Sequence, residues 1–568
     1  MTSHSRSPPS RGNYVPLPHR FCRVTTFIQK RRKVMGKSLF TASVFFAFVL
    51  TVIVILDLSV PNGMVAWAAP PSQMAASQLQ GHAGTATPQR LTPQFTAEPV
   101  SPTAEQLAVS AMAVAHGRGH GPTSVGQSPV AGPRSPSTAV PPNAPETFTV
   151  FRSRALAPGS GLAQSTINEP SLANSGKYIW YTGNWYAARS TNAGVAWKYV
   201  NPYADMPDFC CDQDVVYDKG RDMILWYRQG TGRPNRYLLS GSLDGGAHWC
   251  TYSLNAANYF GNPWGAQDWF DYPHLALSND HIYITSNMFD NPGNFQRMIL
   301  TKIPLDPLRS CAGFGFTWWA RSTGWTWTPV QGATDVMYIG DHTDTDTFNI
   351  CWNVEADNLL SCADRDIDAW TFTDRGDASC PVPDGNDPCL RLDERINAGW
   401  LKEDEDQNRH LLGFFWTVQE GAGFPFPYVN AAVFDPQTLT YLSRPLIWNP
   451  DFAWFYAGAA PNARGDLGIA TYLAGGGNYV QMYVGIEDDF NGAPPGWEVA
   501  LVRASNDGPD PDNWGDYLRV RPHSPDGVTW IAGGHTLQGG GTGAFVEPRY
   551  VVFGRERDQD GLFRFWTK

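Results

Sequence analysis

The chain has 568 residues, a formal net charge of −11, 13% aromatic residues, 22 Trp, 55 Gly and 45 Pro. It is long enough to bury a large core without covalent help, and it shows no sustained helical periodicity beyond its N-terminal region. Residues 1–70 hold nine Lys and Arg against a single acid, Asp57, so the remainder carries 33 basic and 52 acidic residues; a surface that negative excludes nucleic acid and anionic lipid headgroups as ligands.

Residues 1–69 read as a targeting segment. An apolar run of 18, 39–56 (LFTASVFFAFVLTVIVIL), follows Lys30, Arg31, Arg32, Lys33 and Lys37 and precedes Asp57 and the small-residue stretch AWAAP at 66–70. Positive charge retains the near side in the cytoplasm. The run suits a cleaved signal peptide, with Met35 as an alternative start, and equally an uncleaved anchor. Both send the rest of the chain out of the cytoplasm, to the cell surface or the extracellular space, and leave the membrane in contact with the N-terminal segment alone.

Residues 70–145 are rich in Pro, Ala, Ser, Thr, Gly and Gln, with few aromatics. This composition predicts a disordered linker. The HGRGHG stretch at 116–121 carries two His in a flexible tract, which is weak ground for a metal site.

From residue 146 to the end, short aromatic and β-branched runs recur between Gly, Asn, Asp and Pro. Units begin near 168, 210, 270 and 334, and looser ones span 391–446, 452–507 and 513 to the end. The period, roughly 50–60 residues, is that of four strands with their loops. Such a unit cannot bury both faces alone, and packing several around an axis solves this. The expected fold is therefore all-β, a single β-propeller of six or seven four-stranded blades over 146–568. The strand ETFTVFR at 146–152 is expected to close the ring by pairing with GLFRFW at 561–566.

Of nine cysteines, Cys22 precedes the apolar run and eight follow it. An even number in an exported chain predicts disulfides. Local pairing is expected for Cys351 with Cys362 across a hairpin and for Cys380 with Cys389 around a loop. Cys210, Cys211, Cys250 and Cys311 leave three pairings open, one of them a vicinal ring.

Two segments share the pattern S-x-[D/N]-x-G-x-x-W: Ser190, Asn192, Gly194 and Trp197, then Ser242, Asp244, Gly246 and Trp249. They resemble the Asp-box, or BNR repeat, of the sialidase-like propeller superfamily. The resemblance covers 166–253 and implies the propeller fold, with the box on an outer turn away from the centre. It implies no chemistry. Sialidases open their first blade with an arginine motif. The matching stretch here is Ile167-Asn168-Glu169-Pro170-Ser171-Leu172, which has no arginine and places Glu169 where a carboxylate ligand would be repelled. Sialidase activity itself is therefore not expected.

The first strand of each blade lines the centre of a propeller, and in this frame Glu169, Asp212, Asp214, Asp271, Asp341 and Asp516 fall at its innermost positions, with His342, Arg395 and Tyr517 beside them. Asp516 and Tyr517 are the foremost pair. Three readings compete, and the expected function is recognition of a glycan or another extracellular ligand, with a glycoside hydrolase or lyase as the alternative. Two such carboxylates, one protonated and one ionised, are the machinery of a glycoside hydrolase or lyase. The same acids, with the acid-rich stretches 340–347 and 374–389, suit Ca²⁺ and a pocket that binds glycans or another extracellular ligand without chemistry. They also suit plain strand capping. Arg464-Gly465-Asp466 reads as a turn, and 536–545 is Gly-rich without the Lys that a phosphate loop needs.

Overall fold

The computed structural model describes residues 77–100, 147–156 and, apart from short internal stretches, 168–559 together with Leu562. The apolar run 39–56 and the His stretch 116–121 lie outside the described residues. Among those described, no helix is long and apolar enough to cross a membrane.

Antiparallel four-stranded meanders follow one another along the chain over 171–200, 209–255, 269–321, 328–366, 396–443 and 453–504, and three further strands span 519–555. The meanders 328–366 and 396–443 join through the short strand Thr328–Gln331 into one nine-stranded sheet. The first strand of each meander packs on the first strand of the next, and Arg519–Pro522 packs back on Ser171–Ser175, so the inner strands form a closed ring. This is a propeller architecture.

Burial grades outward as the sequence demands. The inner strand Ala453–Pro461 is buried along its whole length and is correspondingly apolar, whereas the outer strand Glu498–Ala504 alternates between half-buried and exposed positions. The largest apolar cluster joins the first meander to 453–504 and 519–555, and two others join 209–255 to 269–321 and 328–366 to 396–443.

Strand β5 (Phe148–Ala155) completes the last blade as its outer strand. The expected closure from the N-terminal side is present, with a different partner: β5 pairs with Phe545–Arg555, and 561–566, Leu562 excepted, lies outside the described residues.

The stretch expected to be linker is, in part, folded. β1 (Ser77–Gln80), β2 (His82–Ala86), β3 (Pro88–Leu91) and β4 (Phe95–Thr96) each add a fifth, outer strand. They take the meanders 328–366, 269–321, 209–255 and 171–200 in that order, running round the ring against its numbering. This belt covers four sheet edges that would otherwise expose unpaired backbone. Its small residues are used: a Cβ on Gly84 would fall inside the Phe316 ring.

The eight cysteines form four disulfides, Cys210–Cys211, Cys250–Cys311, Cys351–Cys362 and Cys380–Cys389. The two local pairs are as expected, and the open four resolve into the vicinal ring plus one bridge across the outer part of the second and third meanders.

The two S-x-[D/N]-x-G-x-x-W segments form matching turns before the last strand of their meanders. Ser190 Oγ and Ser242 Oγ each donate to the acid or amide two residues on and accept from the backbone N–H of Gly194 and Gly246, both at 2.9 Å. Asn192 Oδ1 accepts from Ala196 N, and Asp244 Oδ1 from Ala247 N and His248 N. Gly194 and Gly246 take φ of 79° and 86°, which a side chain resists. Trp249 packs against Trp180 and Trp226, and Trp197 against Tyr181 and Tyr550. A Cβ on Gly246 would lie 2.5 Å from the Trp180 ring. Gly246→Ala is therefore expected to cost about 2–4 kcal/mol, from the strained φ plus overpacking against a rigid indole, read as a lower denaturant midpoint at unchanged slope.

Candidate functional site

Three inner strands begin with the same irregularity. Register shifts occur between Phe209 and Gln213, between Asp271 and His274, and between Phe455 and Gly458. Each bulge holds one non-glycine residue at positive φ: Cys211 at 57°, Tyr272 at 53° and Tyr456 at 49°. Such conformations persist only where the surroundings over-determine them, and bulges re-aim side chains. Here they bring the ends of the strands together at one mouth of the ring. Tyr272 N donates to Asp212 Oδ2 at 3.0 Å, and Tyr456 Oη donates to the Arg391 carbonyl at 3.2 Å.

Glu169, Asp212, Asp271 and Asp516 meet there. Glu169 Oε1 accepts from Asp516 N at 3.0 Å and Oε2 from Asn184 Nδ2 at 2.6 Å. Burial, reinforced by the charges of Glu169 and Asp271, raises the Asp212 carboxyl well above the usual range. Burial also raises Asp271, to about 6, with Arg395 opposing and Glu169 and Asp516 adding. Asp516 goes the other way. Burial alone would raise it, but the guanidiniums of Arg391, Arg395 and Arg375 outweigh that and hold it below the usual range. Their Nη2 atoms lie 3.0, 2.6 and 3.0 Å from its oxygens. Asp393 pairs with Arg395 and Arg375 at 2.7 and 3.3 Å.

Sequence reasoning singled out Arg395 but missed Arg375, Arg391, Asp393 and Glu394. Glu394 is buried with Oε1 unpartnered, and burial and then the Asp393 charge push its carboxyl up. The signal was present: Asp393-Glu394-Arg395 is a charge run at the threshold of the strand Ile396–Asp404, where a strand entering a core has no need of charge. Arg375 belongs to the acid-rich stretch 374–389, which suggested a cation loop and in fact supplies a cation of its own.

Other expected site residues lie elsewhere. Asp214 is on the inner strand but one layer deeper, where it accepts from Ser171 Oγ at 2.6 Å and Leu275 N at 2.8 Å and pairs with Arg519 and Arg521. Tyr517 lies between the two layers: burial and the charges of Asp212 and Glu169 push its hydroxyl pKa upward, its ring packs on Tyr272, and its Oη donates to the Gln213 carbonyl at 3.2 Å. Asp341 and His342 are not at the mouth. They sit on the second strand of their meander, because the short strand Thr328–Gln331 takes the inner place. Asp341 pairs with Arg321 and accepts from Trp325 N. His342 is buried among Phe348, Trp370 and Trp416.

In that aromatic setting burial lowers the His342 pKa to about 3. A histidine whose folded pKa lies below its unfolded value adds stability above pH 6.5 and loses it as pH falls toward the folded pKa. By pH 4 His342 alone is expected to cost roughly 3 kcal/mol. Denaturant midpoints followed from pH 7 to pH 4 should fall less steeply for His342→Leu than for the wild type; parallel curves would contradict the assignment.

Among the described residues, the one group with metal-ligand spacing is Cys380, Asp387 and Cys389, and its two sulfurs are joined in the Cys380–Cys389 disulfide. In 340–347, Asp344 accepts from Thr345 N at 2.7 Å and Asp341 is engaged by Arg321. Arg464 of the Arg-Gly-Asp turn is held by Asp558 at 2.8 Å and Asp466 at 3.2 Å.

No protein-family pattern matches the chain, and no curated protein is detectably similar to it in sequence. Solved structures of similar fold include the α-L-arabinofuranosidase Arb93A of Fusarium graminearum, with a TM-score of 0.36 and 10% identity over 71% of this chain and 98% of that one. The NanB sialidase of Streptococcus pneumoniae matches with a TM-score of 0.35 and 9% identity over 71% and 70%. The Trypanosoma rangeli sialidase matches with 0.34 and 10% over 70% and 60%. No residue role is transferred from these structures.

Proposed function

We propose that the described unit is a seven-bladed β-propeller, exported from the cytoplasm, that binds a glycan at its carboxylate-lined mouth and cleaves a glycosidic bond there. One observation carries the reading: carboxyls from separate strands converge, and their surroundings push their proton affinities apart, Asp212 and Asp271 upward and Asp516 downward. A carboxyl raised toward its acid form beside a carboxylate fixed by hydrogen bonds is what general-acid cleavage of a glycosidic bond requires. Asp212 is the proton donor to the leaving oxygen. Glu169, held from two sides, is the fixed carboxylate that faces the developing positive charge on the sugar. Arg375, Arg391 and Arg395 hold Asp516 and frame the pocket.

A second reading, glycan binding without turnover, is favoured by the fact that Glu169 and Asp516 already spend their oxygens on protein donors. The four disulfides support an oxidising, extracellular setting for either.

The test uses the full chain, because β1–β4 belong to the fold, produced in an oxidising compartment. It is incubated with a mixed glycan panel, with and without Ca²⁺, and products are sought by mass spectrometry. Products carrying added water support hydrolysis, and unsaturated products would mark a lyase. Glycans retained without products support the binding reading. Neither result would sink both and point to an extracellular protein ligand.

A further inference from the structure

Three residues further along the chain from the mouth acids, Asp271 gives way to His274 and Asp516 to Arg519. His274 and Arg519, with Arg521, Gln331 and Asn397, line a partly open cavity of about 20 Å³ among the inner strands. That is room for one water-sized particle and far too little for a sugar ring. The charge in this layer does not balance. Arg519 and Arg521, both almost fully buried, face a single carboxylate, Asp214. Arg521 is otherwise spent on the carbonyls of Val215 and Val520. Arg519 gives Nη2 to the Pro273 carbonyl and stacks its guanidinium 4.1 Å from the Tyr517 ring centre. Its Nη1 makes no hydrogen bond to a described residue. His274 is 5% exposed and its Nε2 has no partner. The next cation toward the mouth, Arg395, is already answered by Asp393 and Asp516. A buried positive charge left over after its one counter-ion is strongly unfavourable unless something answers it.

We propose that the cavity is a binding site for one small monovalent anion of chloride size, held by Arg519 and by the ring N–H of His274, with Arg521 and Asp214 fixing the frame. The site is separate from the mouth and does not depend on what the mouth binds. Burial, with the three neighbouring arginines, holds His274 neutral, and a neutral imidazole still offers one N–H donor. Burial also draws Arg521 down to about 10 against the pull of Asp214, which is the electrostatic cost that an anion would relieve.

The experiment is a melting series on the full chain at pH 7 and constant ionic strength, with sodium gluconate exchanged stepwise for sodium bromide. Bromide is expected to raise Tm saturably by about 3 °C, as a ligand of the folded state alone must. Sodium sulfate, too large for the cavity, should fail to substitute. Arg519→Gln should abolish the rise. A rise that survives in Arg519→Gln would come from the outer surface and overturn the proposal. Should that variant not fold, crystals of the wild type grown in bromide decide the matter: anomalous density in the cavity beside Arg519 Nη1 supports the site, and its absence there overturns it.

Discussion

Asp516→Ala is expected to destabilise the folded chain by about 3–5 kcal/mol, enough to prevent its accumulation at 37 °C in a domain of ordinary stability. The carboxylate sits 2.6–3.0 Å from three guanidiniums, two of them almost fully buried. Its removal leaves those charges out of water with Asp393 as the remaining close counter-ion for Arg375 and Arg395, and leaves Arg391 with none of its present ion pairs. The loss comes mostly from stranding charge rather than from forfeiting favourable contacts, so Asp516→Asn, which keeps an acceptor but not the charge, should fall between alanine and the wild type. Yield of exported protein and the denaturant midpoint measure both. A stable Asp516→Ala chain would mean that the arginines reach solvent and that the mouth is far more open than its burial indicates.

Asp212→Asn is expected to separate activity from stability. Because burial and the charges of Glu169 and Asp271 push the Asp212 carboxyl upward and so favour its neutral form, a neutral amide of the same shape should leave Tm unchanged or slightly raised. Turnover on any glycan that the panel identifies should drop by about 10²–10⁴, the contribution of a positioned general acid. The pH dependence follows from the direction of the shift. The acid form is present at low pH and is lost as pH rises through a raised pKa, so the alkaline limb of the rate profile should lie well above the ordinary carboxylate range and vanish in Asp212→Asn. If Asp212→Asn keeps full turnover, the proton comes from elsewhere, with Glu394 next in line on burial and its unpartnered oxygen.

Features that depend on near neighbours in the chain are legible in the amino-acid order alone. Alternating strands, their turn residues and a period near that of four strands specify repeated antiparallel meanders, since a strand's pleat is local and a small sheet must bury its second face on a neighbour. The two S-x-[D/N]-x-G-x-x-W turns are legible because each is held by hydrogen bonds spanning four residues. Cys351–Cys362 and Cys380–Cys389 are legible because they close short loops.

Which acids meet depends on the three-dimensional packing of the blades. Residue alternation tells which face a side chain takes, not how far along the axis it sits or which strand is innermost. Asp341 and His342 were displaced from the centre by one four-residue strand, Thr328–Gln331, that hydrophobic patterning is too short to mark. Asp214 kept its place on the inner strand but, two residues further along it, fell one layer below Asp212. Arg375 and Arg391 reached Asp516 across more than a hundred residues. The belt of β1–β4 was invisible for the same reason. Its polar, small-residue sequence has no strand periodicity of its own and becomes strand only because four existing sheet edges supply the hydrogen bonds.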